Sequence, residues 1–252
     1  MLKNQIIKGD SLEVMPDIPG GSIDAVICDP PYGTTACKWD SVIPFEPMWE
    51  QLNRVIKKNG AIVLFGSEPF SSYLRMSNIK NYKYDWNWDK KISTGFLNAW
   101  KQPLRRTEII SVFYKKQCLY NPQIKDKKKE NIRNGRSIKT DALTESLGKY
   151  KNDKSYRTLP HDKTMPVNVI EMNRVNSAKG KVHPTQKPVS LFEYLIRTYT
   201  NKQETVLDFA AGSCTTAVAC INTHRNYICI EKEQKYVDIG NKRILTAEPS
   251  LF

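Results

Sequence analysis

No apolar run in the chain approaches the roughly 18 residues a membrane helix needs; the longest, such as Ala61–Phe65, hold five. Met1–Asp10 lacks a long apolar core behind a basic flank, which argues against a secretory signal. Histidine is scarce at three residues. None of the six cysteines (Cys28, Cys37, Cys118, Cys214, Cys220, Cys229) stands in a C-x-x-C pair, so neither a zinc site nor a disulfide framework is indicated. The expected compartment is the reducing cytoplasm. Acidic residues are also short in supply. Against 39 Lys and Arg there are 26 Asp and Glu, and the resulting +13 points to a polyanionic partner. The remaining composition, 40% apolar and 26% charged, excludes a wholly disordered or collagen-like chain. A length of 252 residues suits one large domain, or one domain with an insertion.

The positive charge is unevenly placed. Between Lys115 and Lys181 there are 17 basic and 7 acidic residues, so most of the excess lies in about a quarter of the chain. Taken alone, such a run is better explained as a solvated basic loop region than as a nucleic-acid contact; its flanking segments change the balance.

Outside that region, apolar runs alternate with helical patterns. Strands are expected at Gln5–Lys8, Ile23–Cys28, Ala61–Phe65, Tyr82–Trp88, Glu108–Tyr114, Thr205–Phe209 and Tyr227–Ile230. Several are continuously apolar, as in parallel strands buried on both faces. Helices are expected at Pro47–Lys58, with Gly60 as its terminator, and at Val189–Tyr199, Thr215–Asn222 and Gln234–Leu245. Strand–helix alternation predicts an open α/β sheet. The chain divides into 1–114, a basic irregular insertion over 115–181, and 182–252.

Two segments carry chemistry. Asp29-Pro30-Pro31-Tyr32 directly follows an apolar strand, where α/β sheets bind ligands. Paired prolines fix φ and remove two N–H donors, which leaves carbonyls held in a set direction beside a carboxylate and a ring. Asp29 and the Pro30 carbonyl can each accept one hydrogen of a flat, NH₂-bearing substrate, with Tyr32 stacked on it. An Asp-capped loop with a proline turn would read the same way. The second segment ends the Thr205–Phe209 strand on Asp208-Phe209 and passes through Ala210-Ala211-Gly212-Ser213-Cys214 into a small-residue helix. Such a turn lets a ligand approach the backbone. Glu231, at the end of the next strand, is placed for ribose hydroxyls. A nicotinamide site is the competing reading, but the segment is not G-x-G-x-x-G.

Together these residues resemble the S-adenosylmethionine-dependent amino-methyltransferases of DNA, in the permuted β-group order. Asp29-Pro30-Pro31-Tyr32 matches the D/N/S-P-P-Y/F/W catalytic motif. Asp208-Phe209-Ala210-Ala211-Gly212-Ser213 matches the cofactor motif, and Glu231 the ribose acid. His183-Pro184-Thr185-Gln186-Lys187-Pro188 resembles the segment lining the methionine end of the cofactor, which implicates Thr185 and Lys187. Asp10 resembles the acid near adenine. The resemblance implies a Rossmann-like class I methyltransferase sheet whose basic insertion recognises the target. It implies methyl transfer from S-adenosyl-L-methionine to adenine N6 in double-stranded DNA, with the base flipped and no metal. One departure is Cys214, where the family usually has Gly; a positive φ there would cost about 1–2 kcal/mol, whereas in an already helical backbone Cys is harmless.

Arg105, Arg106, Lys127, Lys128 and Lys129 are the expected DNA contacts, although an exposed basic pair explains the two arginines equally well. The period-two aromatics Tyr82, Tyr84, Trp86 and Trp88 read as one strand face. Cytosine N4 is the alternative target, less so an RNA or a protein amide. A non-catalytic DNA-binding module is disfavoured by the intact catalytic motif. The family resemblance leaves room for a homodimer and for a companion restriction endonuclease.

Overall fold

Ala61, Val63 and Phe65 enter one buried cluster, and Ile62 and Leu64 enter another. A strand covered on both sides has no polar face, which is why this run is continuously apolar. The computed structural model describes residues 3–34, 40–127, 160, 162–175 and 186–247. In chain order its elements are β1 (Gln5–Lys8), α1 (Ser11–Val14), β2 (Ile23–Cys28), α2 (Phe45–Val55), β3 (Ile56–Gly66) and α3 (Phe70–Ser77). There follow β4 (Tyr82–Thr94), β5 (Arg105–Phe113), β6 (Lys125–Asp126), β7 (Lys163–Thr164) and β8 (Val169–Glu171). The last are α4 (Val189–Tyr199), β9 (Thr205–Asp208), α5 (Thr215–Asn222), β10 (Asn226–Glu231) and α6 (Gln234–Leu245).

Eight strands form one sheet in the order β1-β10-β9-β2-β3-β5-β4-β8. The first five are mutually parallel, as expected for an α/β fold. The sheet as a whole is mixed, because β5 runs antiparallel to both β3 and β4. β4 and β5 are consecutive and joined as a hairpin, which forces that direction. One face carries α4 and α5 through Leu191, Leu195, Ile196, Ala217 and Cys220. The other carries α2 and α3 through Met48, Leu52, Val55, Phe70 and Leu74. Each Leu, Ile, Val, Phe or Met side chain among these, fully buried, contributes roughly 1.5–3 kcal/mol.

Three local expectations change. Helix α2 stops at Val55, not Lys58, because Ile56 already pairs with Ile23 of β2. Gly60 is therefore not a helix terminator. It lies inside β3, where a Cβ would come within 2.7 Å of the Asp24 carbonyl. Tyr84, Trp86 and Trp88 do share a face, with the Trp86 indole donating to the Tyr199 hydroxyl at 2.6 Å. Tyr82 joins the opposite cluster, because an extra β4 residue shifts the pairing with β5 between Tyr82 and Tyr84.

The chain separates into two compact units, one of residues 1–121 with 168–252 and one of Pro122–Val167. The second is narrower than 115–181: Cys118 and Ile170 are buried in the core of the first unit, and β8 extends the first unit's sheet. Within the second, β6 pairs antiparallel with β7, and Lys163 is ion-paired with Asp126. No described helix is long and apolar enough to cross a membrane.

Candidate active site

From β9 the chain crosses through α5 to β10, towards one sheet edge. From β2 it crosses through α2 to β3, towards the other. Since β2 and β9 are adjacent and parallel, their carboxyl ends open a crevice at this switch in strand order. Asp208 closes β9 and Asp29 follows β2, so the two motifs meet there although 179 positions separate them. Cys28 at the end of β2 and Asp208 at the end of β9 act on each other electrostatically across the strand ends. Above them lies a cavity of about 520 Å³, lined by both motifs.

The loop after β2 is held by Asp40, whose carboxylate accepts the backbone N–H groups of Tyr32 at 2.8 Å, Gly33 at 2.9 Å and Thr34 at 2.9 Å. Pro30 and Pro31 give no N–H of their own, so this clasp begins at Tyr32. The Tyr32 ring packs on Phe70, with centroids 5.0 Å apart, and its hydroxyl donates to Asp29 Oδ1. Asp29 Oδ2 accepts from Lys187 Nζ at 2.6 Å. Lys187 also faces Glu108 at 3.3 Å, and Lys90 pairs with Glu108 at 3.2 Å. Asp29, Lys187, Glu108 and Lys90 thus form a largely buried chain of alternating charge.

Burial pushes the Asp29 carboxyl up from its ordinary value; Lys187 opposes the rise and Glu108 adds to it. Burial alone would depress the Lys187 ammonium, but Asp29 and Glu108 outweigh it and hold the group above a free lysine. Asp29 is therefore a carboxylate with raised proton affinity, beside a lysine that stays charged.

On the cofactor side, Gly9 N–H donates to the Glu231 carbonyl at 3.0 Å, which sets Asp10 at the cavity edge. Asp10 itself caps α1 by accepting Leu12 N–H at 2.9 Å. Glu231 is buried, and its two oxygens accept Gly212 N–H at 2.7 Å and Glu233 N–H at 2.8 Å. Burial raises its pKa. Asp208 accepts from Thr216 and Ala210, and burial pushes it up to about 6. Neither Asp208 nor Glu231 has a Lys or Arg ion-pair partner among the described residues. Such a pocket suits ribose hydroxyls and a cationic ligand, and is ill suited to a diphosphate. S-adenosylmethionine fits those residues. The Ala210 and Ser213 backbones line the cavity, and Ser213 Oγ is bound by Arg243 at 3.0 Å. Phe209 also reaches the cavity, although its ring is buried in the α2-side core.

Cys214 adopts φ 57° and ψ 43° at the start of α5, so of the two alternatives the left-handed, strained one holds. The fold accommodates its side chain with Gly240, where a Cβ would lie 2.5 Å from Cys214 Sγ and 2.8 Å from Ile6 Cδ1. Gly240→Ala should therefore lower stability by about 1–3 kcal/mol through overpacking. In a Cys214→Gly background the same change should cost distinctly less. Urea denaturation of the four proteins checks this, and strictly additive losses would contradict it.

Arg105 is exposed at the cavity rim. Arg106 instead grips Asp89 with two bonds, 2.7 and 2.8 Å, so a phosphate would have to compete for it. Lys127 lies in the smaller unit, its N–H donating to the Asp162 carbonyl at 2.7 Å. Lys128, Lys129 and Thr185 lie outside the described residues. Sequence reasoning missed Asp40, Lys90 and Glu108. The one signal was for Lys90, which falls at the next alternate position of the Tyr84, Trp86 and Trp88 face.

The chain matches the model of a family described as DNA methylase over residues 23–242. It is 30% identical to the DNA adenine methyltransferase YhdJ of Escherichia coli over 95% of this chain and 82% of that one. It is 27% identical to the type II methyltransferase M.HinfI of Haemophilus influenzae over 98% of this chain and 70% of that one. The solved structure of an M1.HpyAVI–SAM complex superposes with a TM-score of 0.62 at 25% identity, covering 95% of this chain and 98% of the other. Catalytic motif, cofactor motif and buried acid converge on one crevice in a chain matched across most of its length, and the protein belongs to the N6/N4 DNA methylase family.

Proposed function

We propose that the protein transfers a methyl group from S-adenosyl-L-methionine to the exocyclic N6 of an adenine flipped out of double-stranded DNA. The observation that carries this reading is the one cavity shared by Asp29-Pro30-Pro31-Tyr32 and the acids Asp208 and Glu231. The cofactor, when bound, supplies an electrophilic methyl. Glu231 and Asp10 hold its nucleoside end, and the 210–213 backbone surrounds it. The target nitrogen is a poor nucleophile, because its lone pair is delocalised into the ring. Asp29 and the Pro30 carbonyl accept its two hydrogens and favour the pyramidal form. They also stabilise the positive charge that develops there. Asp29 is the nearest carboxylate to take the proton shed afterwards, and its raised affinity suits that task. Lys187 holds Asp29 in place throughout.

Sequencing of modified bases in DNA from cells expressing the protein tests the reading. N6-methyladenine in a defined context is expected; N4-methylcytosine would move the target, and unmodified DNA would reject the proposal. Duplex DNA is the partner this reading requires. It leaves room for a second copy of the chain and for a companion endonuclease.

The charge chain makes a pH prediction. Activity requires ionised Asp29, so it should be lost as pH falls through that group's pKa. Lys187, Glu108, Tyr32, Cys28 and Asp208 are the groups that act on it. Glu108→Gln removes a negative charge and should move the acid limb of kcat/KM to lower pH. Lys187→Met removes a positive charge and should move it to higher pH. Limbs that stay fixed in both variants would show that the chain does not tune Asp29.

A further inference from the structure

Ten residues, 95–104, join β4 to β5, and their base is the Thr94–Arg105 pair. Both residues of that pair line the active-site cavity, so the hairpin rises directly from its rim. The tip turns at Gly95, with φ 92°, into a short 3₁₀ segment, Phe96–Asn98. What it presents is unusual for a solvated turn. Leu97 and Trp100 are completely exposed and Phe96 is 68% exposed. Isolated apolar residues on a surface need no explanation, but three large ones on one loop do. Of the five basic residues in 90–107, Lys90 is buried against Glu108, Lys91 pairs with Glu171 and Arg106 with Asp89, which leaves Lys101 and Arg105 exposed and without an ion pair among the described residues beside the apolar tip. An apolar point on a basic stem is complementary to a polyanion with an apolar interior, which is the chemistry of a nucleic-acid duplex and its base stack.

Reach supports the match. Leu97 is three residues from Thr94 and Trp100 five from Arg105, so each lies within about 11–18 Å of the cavity rim. That spans a few base pairs stacked at about 3.4 Å. A duplex that delivers one base into the cavity is left with a gap in its stack beside it, and apolar wedges enter such gaps in unstacked steps. We propose that the β4–β5 tip is a wedge for duplex DNA. Trp100, flanked by Leu97 and Phe96, enters the stack next to the target and fills the space vacated by the flipped base. The inference rests on the methyltransferase reading of the cavity and adds a DNA-contacting element outside the basic 115–181 region.

The test uses the full chain and short duplexes carrying the modified position found by sequencing. In one duplex the target is paired; in the other it faces an abasic site, so that the stack is already open. Trp100→Ala should lower kcat/KM on the paired duplex by roughly tenfold or more, the scale of one lost base–aromatic stack. The loss on the abasic duplex should be much smaller, and Trp100→Phe should restore most of the activity on the paired one. The tip is exposed, so thermal denaturation should be unchanged. Equal losses on both duplexes, or none, with an active wild type, would overturn the wedge alone. Sedimentation showing that Trp100→Ala only splits a dimer would assign the tip to a second copy of the chain instead, and likewise overturn it. A wild type that methylates neither duplex would overturn the proposed function and the wedge with it.

Discussion

Asp29→Asn should lower single-turnover methyl transfer by roughly 10²–10⁴-fold, the combined range for losing a proton acceptor and an electrostatic stabiliser. The amide keeps the side chain's shape but gives up the charge that faces Lys187 at 2.6 Å. Lys187 retains Glu108 at 3.3 Å, so the buried ammonium is not left without a counter-ion and the fold should survive. Asp29→Ala should abolish transfer as well, with a larger stability loss because it also vacates the bond from Tyr32. Cofactor and DNA binding should remain measurable in both variants, since neither the 210–213 turn nor the basic surface is touched. Transfer of labelled methyl groups under single-turnover conditions decides the matter. A folded Asn variant that keeps most of its rate would remove Asp29 from the chemistry.

Glu231→Gln should have the second-largest effect, and it is expected in affinity. Both carboxylate oxygens already accept backbone N–H groups, from Gly212 and Glu233. An amide has one acceptor, so Gln cannot serve both while also meeting a ribose hydroxyl. Charge-assisted bonds of this kind contribute about 1.5–3 kcal/mol each. Cofactor affinity should therefore fall by roughly tenfold to a hundredfold. The ribose does not change in the reaction, so the loss should fall mainly on KM for the cofactor. The kcat should be largely kept. Titration calorimetry and cofactor-dependent kinetics measure the two parts. Unaltered affinity would reduce Glu231 to a loop brace.

Much of this architecture is legible in local patterns. Ala25–Cys28 and Ala61–Phe65 are apolar at every position because helices cover both faces of their strands. The two motifs announce themselves because their chemistry is local: consecutive prolines constrain the backbone wherever they stand, and a strand-end acid before a small-residue turn makes the same pocket in any α/β sheet. The antiparallel hairpin was less legible. Tyr82–Trp88 and Glu108–Tyr114 read correctly as strands, but strand periodicity carries no information about direction.

The sequence alone therefore determined the α/β class, the two motifs and their order, and the charge that fits a polyanion, because each is set by residues near one another in the chain. Only the tertiary structure decided which groups touch Asp29. Lys187 reaches it across 158 positions, and Lys90 and Glu108 meet through the β4–β5 register. The same is true of Asp40 across the loop, of Arg106 held by Asp89, and of the Gly240 that makes room for Cys214. Contacts between distant segments depend on strand register and helix placement, which are set by the packing of the whole core; the identity of a residue fixes what it can do and leaves open which partner it will meet.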